Sequence, residues 1–197
     1  MIDLHPQNLV DSARSAKKDA FVRLLLGAPL LLVQVGGRDE ALASALAGSG
    51  AAIGTVIPPS PDGLPFQTAT AKGNLADGAA ARARALKGPV FAVALHKRAG
   101  SQTLSDHRIC LGRSRTNDVV LRDPSVSKLH AFFQRDEDEN YFLSDVGSHN
   151  GSRVNGESIS PRQAKYVRSG DAVLLGSVAT TFLSAADFWA MVAYDRA

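Results

Sequence analysis

The sequence predicts a mainly β protein: a β-sandwich in the second half, preceded by a mixed α/β N-terminal region and closed by a short C-terminal helix. Three observations support this. From Val90 onward, short β-favouring runs alternate with turn residues. Asn155–Gly156, a dipeptide tolerant of positive φ at both positions, sits among those runs as a two-residue hairpin turn. Before Val90 the texture is different, with apolar residues at helical spacing and a single apolar strand-like run.

In order, the N-terminal region (residues 1–88) opens with an amphipathic helix from Asn8 to Gly27, whose Leu9, Val10, Ala13, Ala20, Phe21, Leu24 and Leu25 recur at helical spacing. Gly27 and Pro29 stop it. Leu30 to Val35 then reads as a buried strand, Gly36–Gly37 as a turn, and Asp39 to Ala47 as a short alanine-rich helix. Pro58 to Pro65 holds four of the nine prolines and is a linker or long surface loop. Ala76 to Lys87 has good helix propensity and is ended by Gly88 and Pro89. This segment is a separate mixed α/β domain or an extension packed on the sandwich, and no motif in it names a ligand.

The expected sandwich domain, residues 89–197, has strands at Val90 to His96, His107 to Leu111, Val119 to Leu121, Leu129 to Arg135, Tyr141 to Asp145, Ser152 to Val154, Ala172 to Leu175 and Thr180 to Leu183. Ala185 to Tyr194 closes the chain as a helix capped by Ser184 with Asp187 three residues on. Phe188, Met191 and Val192 share one face of it, and Trp189 is read as packing.

Composition narrows the function. The net charge is +3, but residues 1–88 carry nine Lys/Arg against seven Asp/Glu and residues 89–197 carry thirteen against twelve, so neither half is a basic domain and no nucleic-acid partner is expected. The longest apolar runs fall short of a membrane span, so no membrane partner is expected either. The single cysteine, Cys110, cannot form an intrachain disulfide, and no leader pattern opens the chain. A cytoplasmic setting follows. Neither GxGxxG nor a GK[ST] loop follows the N-terminal strand, so no nucleotide cofactor is expected. The five histidines are scattered, no HExxH or GxSxG occurs, and the adjacent Ser148–His149 do not make a catalytic dyad, so no enzyme is expected.

One constellation carries chemistry. Phosphate recognition needs a cation that can fork two oxygens, neutral donors for the remaining lone pairs, and a group that holds the peptide backbone. Arg113, at a strand end after Gly112, can supply the first; Ser127, after the turn at Asp123–Pro124, a hydroxyl; and Asn150, in the loop GSHNG, an amide that both donates and accepts.

These residues fall in three blocks: LGRSRTNDVVLRDPSVSKLHA, YFLSDVGSHNGSRVNG and SGDAVLLG. In order and spacing they resemble the forkhead-associated (FHA) domain, over about Val90 to Ser184. The resemblance implies an eleven-stranded β-sandwich whose loops at one end bind a phosphothreonine peptide, without catalysis or cofactor. Arg113 and Ser127 then match the family's phosphate ligands and Asn150 its anchor for the peptide main chain. Lys128, in the position after the serine, is placed to donate a backbone or ammonium contact, and His149, in the variable place before the asparagine, lines the site. His130 resembles the buried histidine that braces the loops, while Gly112, Gly147 and Gly151 shape them. Ser152 departs from the family's more frequent threonine. The implied partner is a threonine-phosphorylated protein, such as a Ser/Thr kinase or its substrate. Phosphorylation of Thr68 or Thr70 would allow capture by a second copy. The competing reading is a phosphate-independent scaffold built on the same sandwich.

Overall fold

The computed structural model describes residues 13, 15–34, 56–57, 90–98 and 107–194. The expected helices at 39–47 and 76–87, the turn at 36–37, the proline-rich stretch 58–65 and the threonines 68 and 70 lie outside them.

Two helices and twelve strands have both ends among the described residues. In chain order they are α1 (Lys18–Leu24), β1 (Leu30–Gln34), β2 (Val56–Ile57), β3 (Val90–Ala94), β4 (Arg108–Gly112), β5 (Val119–Val120), β6 (Ala131–Arg135), β7 (Tyr141–Asp145), β8 (Ser152–Val154), β9 (Glu157–Ser158), β10 (Ala164–Val167), β11 (Ala172–Leu175), β12 (Val178–Leu183) and α2 (Ala185–Tyr194). One sheet runs β2-β3-β1-β12-β11-β8-β9 and the other β10-β7-β6-β4-β5. Between them lies a core that includes Leu111, Phe133, Leu143, Val173, Leu175 and Phe182. The alternation of side chains along each strand sends every second residue into that core.

The run Leu30 to Val33 departs from alternation because both its faces are buried. Leu31 and Val33 enter the inter-sheet core, whereas Leu30 and Leu32 join a second cluster with Phe21, Leu25, Ala92, Ala94, Leu183, Phe188 and Met191. The seven-stranded sheet is therefore roofed by α1 and α2, whose Phe21 and Phe188 rings stack with centroids 5.9 Å apart. Trp189 Nε1 donates to the Ala16 carbonyl at 2.9 Å, which ties α2 to the chain before α1.

This arrangement bears on the division drawn between residues 88 and 89. β1 pairs antiparallel with β3 on one side and β12 on the other, so it is an interior strand of the sandwich sheet. Among the described residues before 89, β1 and β2 lie in the same sheet as β3 and β12, and the position of β1 covers both faces of a strand that is apolar on each.

The expected helix from Asn8 to Gly27 is not continuous: Lys17 is extended at φ −66°, ψ 152°, and α1 starts after it. Leu26 and Gly27 adopt φ of 52° and 74°, with the Gly27 N–H on the Val22 carbonyl at 3.0 Å, so a left-handed turn ends the helix. Within 89–184 the expected strands form with ends shifted by a few residues, and β9 and β10 are additional. Both are short edge strands, β9 fully exposed and β10 burying only Val167, so neither leaves an apolar pattern. Asn155 and Gly156, at φ 51° and 85°, turn β8 into β9 with Val154 opposite Glu157. Ser184 Oγ accepts from the Asp187 N–H at 3.1 Å and donates to its carboxylate at 2.7 Å, as the cap requires.

Candidate functional site

Three loops meet at one end of the sandwich: β4–β5, β5–β6 and β7–β8. The first two are sewn together through the backbone. Arg113 N–H donates to the Ser127 carbonyl at 2.9 Å and Ser114 N–H to the Lys128 carbonyl at 3.0 Å. Asn117, buried, donates its amide to the Lys128 carbonyl at 2.6 Å and the Ser114 carbonyl at 3.0 Å. The approach is so close that a Cβ on Gly112 would lie 2.4 Å from the Lys128 oxygen and 2.8 Å from Asn117 Nδ2. Only glycine fits there.

His130 braces the second loop against the third. Its side chain is fully buried; Nδ1 accepts the Ser127 N–H at 3.1 Å, and Nε2 faces the Gly151 carbonyl at 3.2 Å. Since Nδ1 accepts, the proton sits on Nε2 and is donated to Gly151. Burial holds the imidazole pKa below its ordinary value, against the opposing pull of the Gly151 carbonyl and the Asp145 charge, so the ring is kept neutral.

Asp145, 2 % exposed, organises the third loop. Its Oδ1 accepts the N–H groups of Gly147 and Ser148, both at 2.7 Å, and its Oδ2 accepts the hydroxyls of Ser148 at 2.7 Å and Ser152 at 2.6 Å. Burial by itself would raise this carboxyl, but the donors Ser152, Ser148 and Gly147 outweigh it and hold the pKa below the ordinary value. Gly147 and Gly151 adopt φ of 90° and 73°, so the turns on either side of His149–Asn150 need glycine.

On this frame stand the exposed groups. Arg113 Nε donates to the Val126 carbonyl at 3.2 Å, which fixes the root of the guanidinium, and its two terminal nitrogens have no partner among the described residues. Lys128 is exposed, and its ammonium has no ion pair among them. Ser127 Oγ accepts the His149 N–H at 3.1 Å, so its own proton is free to be donated outward. Asn150 Nδ2 donates to the Ser125 carbonyl at 2.8 Å, which leaves its Oδ1 as an open acceptor. His149 is exposed beside it. The arrangement offers two cations, one hydroxyl donor and one amide acceptor with no internal carboxylate partner.

The structure thus brings Arg113, Ser127, Lys128, His149 and Asn150 to one end and puts His130, Gly112, Gly147 and Gly151 beneath or between them. Sequence reasoning missed the buried acids. Asp145 carries its signal in Asp-Val-Gly-Ser, where an aspartate two and three residues before free N–H groups can close a turn on itself. Ser152, where the family more often has threonine, is 1 % exposed and is one of the donors that hold Asp145. Asp123 accepts the Ser125 N–H at 2.8 Å, and Ser125 Oγ in turn accepts the Ser177 N–H at 2.8 Å, which latches the Ser127 loop to the β11–β12 turn. Such long-range pairing leaves no local pattern. Among the described residues, no group of three or more His, Cys, Asp or Glu is placed to hold a metal ion.

Residues 109–176 match the FHA domain family, and the chain carries a forkhead-associated domain. The matched stretch starts in β4 and ends after β11, so β1 to β3, β12 and both helices lie outside it. The chain is 38% identical over 87 residues to the oxoglutarate dehydrogenase inhibitor of Corynebacterium jeikeium, covering 44% of this chain and 58% of that one. It is also 38% identical over 87 residues to the glycogen accumulation regulator GarA of Mycobacterium tuberculosis, covering 44% and 51%. The chain therefore spans little more than half the length of these relatives. Among solved structures, it is similar to Mycobacterium tuberculosis EmbR in complex with a low-affinity phosphopeptide, at 34% identity and TM-score 0.36 over 41% of this chain and 20% of that one. A second is the N-terminal FHA domain of Saccharomyces cerevisiae Rad53p with a phosphothreonine peptide, at 22% identity and TM-score 0.39 over 43% and 73%.

Proposed function

We propose that this chain is a phosphopeptide-binding adaptor that recognises phosphothreonine in a partner protein. Arg113 forks the phosphate, Ser127 donates its hydroxyl to it, Lys128 adds a second positive charge, and Asn150 accepts an N–H from the peptide main chain. His149 lines the groove. The single observation that carries this reading is the unpartnered end of the Arg113 guanidinium beside a serine whose hydroxyl accepts the His149 N–H and has no acceptor for its own proton among the described residues. A phosphate carrying about −1.5 to −2 charge supplies the counter-charge that Arg113 and Lys128 lack among the described residues. A phosphate-independent scaffold would have no use for such a site.

Nothing in this function requires turnover, so the protein acts by binding, without a cofactor. The partner is a threonine-phosphorylated protein of the cytoplasm, a Ser/Thr kinase or its substrate. Phosphorylation at Thr68 or Thr70 would give the same loops a ligand on a second copy, a self-association that light scattering after kinase treatment detects. The test of the main reading is a calorimetric titration with a phosphothreonine peptide library and its unphosphorylated counterpart. Binding confined to the phosphorylated set is expected; equal binding of both sets would assign the loops to the scaffold reading.

A further inference from the structure

The two outer faces of the sandwich are unlike. That of the seven-stranded sheet is roofed by α1 and α2, whereas the five-stranded sheet has no helix on its outer side among the described residues. Leu111, Ala131, Phe133, Leu143 and Val167 point into the core, so the alternate positions Arg108, Phe132, Gln134, Phe142 and Tyr166 point outward. Phe132 and Phe142 are only half-buried and Tyr166 is 39% exposed. Phe142 and Tyr166 touch across β7 and β10, with ring centroids 5.5 Å apart. The Arg108 guanidinium lies 4.5 Å above the Phe132 ring and that of Arg168 5.0 Å above the Tyr166 ring.

An arginine laid flat on an aromatic ring keeps its N–H edge for carboxylates. Neither guanidinium has a carboxylate partner among the described residues, Arg168 meeting Asp171 Oδ2 only through its backbone N–H at 2.8 Å, and no outward position on β4, β6, β7 or β10 is acidic. The face also runs into the loops. Leu129 and Val146, each 40% exposed, flank its upper end, and Val146 N–H is bonded to the His130 carbonyl at 3.1 Å. At the opposite end the acidic turn Asp136–Glu139 bounds it.

We propose that this face is a second docking surface, continuous with the loop site, which takes an acidic and apolar stretch of the partner chain flanking the phosphothreonine. The inference rests on the phosphothreonine reading of the loops. Charge complementarity selects the occupant: the cations here have the same sign as those at the loops, so one anionic chain satisfies both. Length follows from the sheet. Five-residue strands span about 17 Å, which an extended tail of about six residues covers before it meets the acidic turn.

Fluorescence anisotropy with four labelled synthetic peptides tests the proposal: a seven-residue phosphothreonine peptide, the same peptide extended by six alternating leucine and glutamate residues, and the unphosphorylated form of each. The tail is expected to tighten binding of the phosphopeptide at least tenfold. The Arg108→Glu/Arg168→Glu variant is expected to abolish that gain while leaving the seven-residue phosphopeptide within twofold of the parent. A tail without effect on the parent protein, or a gain that survives charge reversal, overturns the proposal. If the short peptide binds regardless of phosphate, the loop reading fails instead, and the tailed unphosphorylated peptide still reports on the face. Self-association of the parent that charge reversal abolishes, seen by sedimentation, would assign the face to a second copy and also overturn it.

Discussion

Arg113 and Asp145 belong to loops at the same end of the sandwich, yet their surroundings differ in every respect. Arg113 is exposed, held at its root by one carbonyl and open at its tip. Asp145 is buried, with two backbone N–H groups and two hydroxyls aimed at it. The first charge is unspent in the free protein and available to a ligand; the second is spent on the fold. A motif in the sequence mixes both kinds, and only their environments separate the charges left open from those consumed in shaping the loops.

The largest expected effect is on the buried side. Asp145→Ala orphans four donors at once, and hydrogen bonds to a charged acceptor each contribute about 1.5–3 kcal/mol, partly recovered when water enters. We expect a loss of about 3–4 kcal/mol in urea unfolding. A loss under 1 kcal/mol would show that Asp145 is not the organiser of its loop.

His130→Ala comes next, at about 1–3 kcal/mol, because it leaves the Ser127 N–H and the Gly151 carbonyl without a partner and opens a cavity. The pH dependence separates the two. The folded pKa of His130 is depressed, so the unfolded chain binds the proton more readily and stability falls as pH drops below about 6.5. The depressed pKa of Asp145 contributes stability above the ordinary carboxylate value that is lost as pH falls below about 4. A His130→Gln protein should therefore lose the upper of these two phases and keep the lower. Retention of both in chemical unfolding across pH 3–8 would relocate the upper phase to another histidine.

The smallest effect sharpens the ligand side. Phosphothreonine carries one methyl more than phosphoserine, and burying it against the loops contributes about 0.8 kcal/mol, roughly fourfold in affinity. Matched peptides that bind equally would place the methyl in solvent.

Much of this was legible beforehand, for identifiable reasons. Apart from β9 and β10, the strands from Val119 to Leu183 show alternation or glycine-bounded apolar runs, and Asn155–Gly156 demands its turn, so local pattern sufficed. The Gly112–Arg113, Ser127, His130 and Asn150 spacing marked the loops. The place of β1 was not legible, because Leu30 to Val33 states only that both faces are buried and says nothing of which strands flank it. Nor was the contact between Gly112 and Lys128, or the Ser125–Ser177 latch, since each joins residues brought together only by the closed sandwich.

The most direct test of the division between reading and framing groups is one phosphothreonine peptide titrated against the parent and Arg113→Ala, with urea unfolding of both. Removing the guanidinium should cost at least about 2 kcal/mol of affinity, some thirtyfold, while the unfolding free energy stays within about 0.5 kcal/mol of the parent. An Arg113→Ala protein that binds the peptide as tightly as the parent, or that unfolds at markedly lower urea, would contradict the assignment of this arginine to the phosphate.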